Sequence, residues 1–230
     1  MLQIYMTRLS QIPLLLLFPL ALIVGCAQPD TGNTDEQPEQ TAYAESASEV
    51  DPVLTGTTIP DASVKSTVGE SVRLLDIVKE KPTVLIFYRG GWCPFCNKHL
   101  AQIQQIQDEL VEMGYQIVAV SADQPEYLQE SIEKHDLDYT LYSDSPMNAS
   151  TAFGLTFKVD QETVERYRKN GIDLEKHAGY DHHLLPVPAV FIVDQEGTIR
   201  FQYVNPDYKT RIEPEVLLAA AGAYYPESES

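Results

Sequence analysis

Thr83-Val84-Leu85-Ile86-Phe87-Tyr88-Arg89-Gly90-Gly91-Trp92-Cys93-Pro94-Phe95-Cys96 joins an unbroken β-branched and aromatic run to two cysteines separated by two residues. The run predicts a strand buried on both faces. Beyond it, Leu100, Ile103, Ile106, Leu110 and Val111 recur at three- and four-residue steps, which predicts a helix with one apolar stripe on the sheet, closed at Gly114. Two residues between cysteines at a helix start let one sulfur sit at the N-cap while the other lies one turn in, near enough to close a small disulfide ring. The free N–H groups and the positive end of the helix dipole favour a thiolate there; such motifs lower a cysteine pKa from about 8.5 to about 3.5–7.5. Arg89 adds positive charge, Pro94 suits the first turn, where its missing N–H costs nothing, and Trp92 packs or contacts substrate.

Outward from this stretch, strands and helices alternate. Gln116–Val120 reads as the next strand, Pro125–His135 as a helix, and Thr140–Tyr142 as a short strand. Ala189–Val193 and Thr198–Tyr203 flank Asp194-Gln195-Glu196-Gly197 in a hairpin pattern, and an amphipathic helix runs from Glu215 to Tyr224. Residues 155–185 fit this plan poorly. They contain a polar helical piece from Asp160 to Asn170 and a Gly/His segment, and read as an insertion over one face. The fold class is α/β, in one domain over residues 53–225 with a short tail at 226–230.

With these residues in hand, the stretch from about Thr58 to Leu218 resembles the thioredoxin superfamily, in its peroxiredoxin-like branch of AhpC/TSA redoxins. Phe87 to Cys96 is that branch's motif almost as a whole. The resemblance implies a thioredoxin-like fold: a central mixed sheet flanked by helices, with the insertion placed before the late hairpin. It implies catalysis by Cys93 and Cys96, supported by Trp92, Arg89, Pro94 and Pro188. Val187-Pro188-Ala189 matches the position of the cis-proline that faces the cysteine pair in thioredoxin folds. A cis bond there would present the backbone of Val187 as an edge for an extended peptide or glutathione.

Two chemistries of the family meet in this sequence. Peroxiredoxins carry a Thr three residues before the peroxidatic Cys; Cys96 takes the place of that Cys and Cys93 the place of the Thr. Their activating Arg falls at Pro188, which leaves Arg89 or Arg200 as spatial substitutes. Thioredoxins carry a buried Asp six residues before the first Cys, where this chain has Phe87. The leading reading is a thiol–disulfide oxidoreductase in which Cys93 attacks and Cys96 resolves, with peroxide reduction as a derived, antioxidant activity. In the alternative, Cys96 is peroxidatic and Cys93 resolves. A second alternative is a Cu(I) metallochaperone using both cysteines and His182 or His183.

Structural zinc would need two further ligands, with His177, His182 and His183 as candidates and no second CxxC, and a purely structural disulfide is also open. The leading reading assigns no metal, and its dithiol chemistry calls for no cofactor. The partners it implies are protein disulfides, small thiols or hydroperoxides, and an electron donor. His99, three residues past Cys96, reads as a solvated helix residue, with a local base as the sharper reading.

The N-terminus carries an address. Ile12 to Gly25 is uncharged and too short for a spanning helix, which needs about 20 residues, so 1–25 reads as an export signal. Ile23-Val24-Gly25-Cys26 resembles the lipobox of bacterial lipoproteins, which implies lipidation of Cys26, a membrane anchor, and a domain on the periplasmic or extracellular side. In a Gram-negative host, Ala27 after the Cys implies the outer membrane. Residues 26–52 hold seven acidic residues and no basic one, and read as a flexible tether. Sixteen basic against 34 acidic residues give a net charge of −18, which argues against a nucleic-acid partner.

Overall fold

The expected doubly buried strand is present at Thr83–Tyr88, and all six of its residues are inaccessible to solvent. At about 1.5–3 kcal/mol for each large apolar side chain removed from water, this strand anchors the core. The computed structural model describes residues 43–224. In chain order these form β1 (Ser63–Lys65), β2 (Ser71–Arg73), α1 (Leu74–Glu80), β3 (Thr83–Tyr88), α2 (Pro94–Gln105), α3 (Gln107–Glu112), β4 (Gln116–Ser121), α4 (Pro125–His135), β5 (Thr140–Ser143) and α5 (Asn148–Ala152). There follow β6 (Thr156–Lys158), α6 (Gln161–Lys169), α7 (Leu174–Ala178), β7 (Leu184–Pro186), β8 (Ala189–Val193), β9 (Ile199–Val204) and α8 (Pro214–Ala223).

The main sheet has the order β2-β1-β5-β4-β3-β8-β9. Strand β3 runs parallel to β4 and antiparallel to β8, so the sheet is mixed, as expected. Alternation along β3 divides its side chains between two cores. Val84, Ile86 and Tyr88 join a layer that includes Leu100, Ile103, Leu128 and Leu217, and both cysteines belong to it. Leu85 and Phe87 join the opposite layer with Leu74, Ile77 and Phe153. Register then fixes the site: Phe87 pairs with Ala189 and Tyr88 with Ser121, so the residues after β3, after β4 and before β8 emerge together at one end of the sheet.

Three expectations are corrected by the fold. The single helix after the cysteines is two helices, broken at Ile106 (φ −108°, ψ 9°). The break keeps Leu110 buried and turns Val111 to solvent. The end of the expected tether is folded: Ala44 N–H donates to Thr156 C=O at 2.9 Å and Lys158 N–H donates to Ala44 C=O at 2.8 Å. Backbone pairing needs no apolar side chain, so an acidic composition does not forbid it. The region 155–185 is also more than a cover. Its α6, α7 and the β6–β7 pair have their own core around Val159, Val164, Leu174 and Leu185, which packs against Ala122 and Trp92.

The export signal, Cys26, the first part of the tether and the 226–230 tail lie outside the described residues. Among the described residues no helix is long and apolar enough to cross a membrane.

Candidate active site

Between β3 and α2 the chain must turn sharply, and Gly90 makes the turn at φ +148°, a conformation side-chain-bearing residues rarely adopt. Cys93 then caps α2 (φ −90°, ψ 113°), and Pro94 occupies the first helical position. Asn97 ties the turn to the helix by donating from Nδ2 to Gly91 C=O at 2.8 Å. The two cysteines are unbridged. Their sulfurs are neighbours with opposed acidities. Cys93 is lowered to about 6, chiefly because its sulfur accepts from the Cys96 thiol, with Arg89, the Cys96 backbone N–H and Arg211 also favouring the anion against the cost of burial. Cys96 is pushed well above the usual thiol range by burial and by the charge and hydrogen bond at Cys93. One sulfur is therefore the thiolate and the other holds the proton. In the reduced protein, reactivity at Cys93 rises as pH rises through about 6.

Two arginines serve this pair. Arg89 is buried, hydrogen-bonds through Nη2 to Tyr167 Oη, and lies over the rings of Tyr208 (4.2 Å), Trp92 (5.0 Å) and Tyr167 (5.5 Å). Held among aromatic faces, its charge is directed to Cys93 rather than to bulk water. Arg211 has no sequence signature: its Nη2 comes within 3.6 Å of Cys96 Sγ. It arrives from the β9–α8 segment, where Asp207 accepts from Lys209 N–H (3.1 Å) and from Thr210 Oγ1 (3.1 Å) and so shapes the turn. Nothing local in Thr210-Arg211-Ile212 signals the approach, because it is set by tertiary folding. Arg200, the substitute suggested by the sequence, is paired with Asp194 at 2.6 Å in the β8–β9 hairpin. Arg211→Met is expected to raise the Cys93 pKa. By linkage the dithiol then becomes less stable relative to the disulfide, and the couple more reducing by about 30 mV for each 1.4 kcal/mol lost. A redox titration against glutathione measures this shift.

Several sequence expectations are revised. His99 is buried, not solvated, and burial with the nearby Arg211 charge lowers its pKa to about 4. Pro188 is at the expected end of β8, but no peptide bond among the described residues is cis. Val187 is fully buried and its N–H donates to Leu155 C=O at 2.9 Å, so it offers no free edge to a substrate. The 155–185 region has taken that donor. His182 uses both ring nitrogens, on Ser145 C=O (2.8 Å) and Leu184 N–H (3.0 Å), and His183 Nε2 meets Glu175 Oε1 at 2.8 Å. Among the described residues no three His, Cys, Asp or Glu side chains gather as metal ligands, so the third ligand required by the copper and zinc readings is not in place.

Asp123 is a further site residue that no motif marks, and His177, weighed in the sequence only as a zinc ligand, lies beside it. Asp123 lies two residues past the end of β4 and is fully buried, and its Oδ2 accepts Gly91 N–H at 2.6 Å. His177, on α7, lies tilted against Tyr127 with ring centroids 4.5 Å apart, and 6.4 Å from Trp92. Both sulfurs are covered, Cys93 being 1% and Cys96 0% exposed. Tyr208, edge-on to Phe95 at 5.7 Å, belongs to the segment that delivers Arg211, so this segment lies over the motif.

Residues 55–202 match the sequence profile of the AhpC/TSA family. Peroxiredoxin Bcp of Escherichia coli (strain K12) is 26% identical over 169 residues, covering 74% of this chain and 96% of its own. Thiol-disulfide oxidoreductase ResA of Halalkalibacterium halodurans is 28% identical over 88 residues, 38% of this chain and 49% of its own. Among solved structures, reduced Prx3 in complex with H2O2 from Vibrio vulnificus has a TM-score of 0.61 at 19% identity, covering 74% of this chain and 99% of that one. Peroxidoxin BcpB from Mycobacterium tuberculosis has a TM-score of 0.58 at 20% identity, covering 75% and 98%. These likenesses show the thioredoxin-like peroxiredoxin fold.

Proposed function

The chain belongs to the AhpC/TSA family and is an oxidoreductase of the peroxiredoxin and thiol–disulfide type, and we propose that it is an exported thiol–disulfide oxidoreductase working through Cys93 and Cys96. The observation that carries this reading is an unbridged pair of cysteines at the start of α2, where the Cys96 thiol donates to Cys93 Sγ and so lowers one acidity to about 6 while the other is raised. The Cys93 thiolate attacks one sulfur of a substrate disulfide, forming a mixed disulfide and releasing the other half as a thiolate. Cys96 then gives up its proton to the departing sulfur and attacks Cys93 Sγ. The second substrate thiol leaves, and two electrons have passed from the dithiol to the substrate. An external thiol reductant resets the pair.

Arg211 favours a second reading, because a guanidinium 3.6 Å from Cys96 Sγ stabilises negative charge on that sulfur. In it, Cys96 reduces a hydroperoxide, becomes a sulfenic acid, and condenses with Cys93 with loss of water. Single-cysteine variants separate the two. Cys96→Ser is expected to accumulate mixed disulfides on Cys93; rapid hydroperoxide consumption by Cys93→Ser, in which Cys96 remains, would reverse the assignment.

For location, Ile23-Val24-Gly25-Cys26 supports a lipid anchor on Cys26, each buried CH₂ of an acyl chain contributing about 0.8 kcal/mol. Cys26→Ser is then expected to abolish incorporation of labelled fatty acid and to move the protein out of the membrane fraction. Unchanged fractionation and labelling would rule the anchor out.

A further inference from the structure

Asp123 is a buried carboxylate that the exchange chemistry leaves unused, and it stands where three elements meet beside the attacking sulfur. Its N–H is held by Ser121 Oγ at 3.2 Å. Oδ2 takes Gly91 N–H at 2.6 Å, and the Trp92 indole is turned to the same carboxylate, so Asp123 grips the two residues immediately before Cys93. Oδ1 has no hydrogen-bond partner among the described residues and faces His177 Nδ1, which also lacks one, across 3.7 Å. Beside this gap opens a cleft of about 390 Å³, to which α4 contributes Tyr127, Glu130 and Lys134. Other titratable groups also approach: Cys93 at the start of α2, Tyr88 at the end of β3, and Arg89, His182 and His183 across a smaller cavity shared with Asp123.

We propose that Asp123 is a positioning residue for the attacking sulfur: it fixes the Gly91–Trp92 segment and, by exchanging its proton through the cleft at His177, sets the nucleophilicity of Cys93 in a step separate from ionisation of the thiol. The proposal rests on Cys93 being the attacking sulfur. An anion beside a thiolate raises its basicity, and thiolate attack rates rise with basicity with a coefficient of about 0.4–0.5, or about threefold per pKa unit. Burial holds the Asp123 carboxyl up at about 7 against the pull of Gly91 N–H and Trp92, and the negative charge of Cys93 adds to the rise. Cys93, at about 6, therefore ionises first. Between the two midpoints the thiolate lies beside a neutral acid; above both it lies beside a carboxylate and attacks faster. Burial lowers His177, which favours a neutral ring that offers a nitrogen rather than a charge.

The test follows iodoacetamide alkylation of the reduced full-length chain across pH, read on the Cys93 peptide by mass. The wild-type rate is expected to climb in two steps, the upper one near Asp123's midpoint and about threefold in size. In Asp123→Asn the upper step should vanish while the lower one stays near Cys93's midpoint, the amide standing in for the neutral acid. His177→Phe keeps the aromatic packing but removes the nitrogen facing Oδ1, and should move the upper step to higher pH. Trp92, the sole tryptophan, reports the same event without any sulfur chemistry: its fluorescence in Cys93→Ser should titrate once, at a lower pH than in wild type. A single-step wild-type profile, or an upper step that persists in Asp123→Asn, overturns the proposal. If Asp123→Asn fails to fold, the wild-type profile, His177→Phe and Trp92 fluorescence decide it. Absence of any low-pH step at Cys93 would defeat the reading of Cys93 as the attacking sulfur too, whereas a low step without an upper one defeats this inference alone.

Discussion

Cys93→Ser is expected to reduce disulfide exchange by at least about a thousandfold, because the first bond-forming step then has no nucleophile. Cys96 cannot take over that step, because its thiol is held protonated by burial and by its neighbour. The companion change has a different signature. Cys96→Ser removes the strongest support of the Cys93 thiolate, the hydrogen bond from the Cys96 thiol. Capture is therefore slowed near neutral pH but still proceeds, and turnover stops at the mixed disulfide. Steady-state reduction of a protein disulfide, set beside single-turnover capture, distinguishes loss of attack from loss of resolution. Equal and modest losses in the two variants would show that Cys93 is not the attacking sulfur and Cys96 not the resolving one.

Gly90→Ala is expected to be the most damaging change in the turn. A Cβ at this position would lie 2.4 Å from Trp92 Nε1 and 2.6 Å from Asp123 Oδ1, and φ is +148°. Backbone strain of this kind costs on the order of 1–3 kcal/mol, before any displacement of Asp123. For a domain of this size that amounts to about 2–4 °C in Tm per kcal/mol. Gly91→Ala differs in a useful way, because its Cβ would meet Ser131 Oγ at 2.2 Å, the end of one small side chain. Adding Ser131→Ala should recover most of the loss at Gly91 and none at Gly90. Thermal melts of these variants check both the strain and the clamp, and a Gly90→Ala chain as stable as wild type would contradict them.

The centre of this fold is legible in the sequence because local and tertiary demands agree there. Thr83–Tyr88 is apolar enough to be buried on both faces, and the helix start at Pro94 is marked by its own residue types. The helix Pro125–His135 and the β8–β9 hairpin likewise carry their signals in consecutive residues. What stays hidden depends on residues brought together from far apart. Arg211 lies 115 positions from Cys96, and Asp123 is 32 positions from Gly91. The break at Ile106 leaves the apolar spacing intact, and beside it Gln104 exchanges hydrogen bonds with Asp138 at 3.0 Å, a contact no periodicity announces. Val187 is deceptive for a related reason. The sequence places it just before the late strand, but the partner that occupies its N–H, Leu155, comes from the 155–185 region, whose packing depends on contacts no local pattern encodes.

Ultraviolet absorbance of the thiolate, followed against pH in the reduced wild-type chain and in Cys93→Ser, tests most directly whether Cys93 is the attacking sulfur. One ionisation near Cys93's value of about 6 is predicted in the wild type, lost in Cys93→Ser. If no thiolate forms in the wild type until the range of an ordinary cysteine, at about 8.5, or if the acidic ionisation survives in Cys93→Ser, the assignment of the attacking sulfur is contradicted.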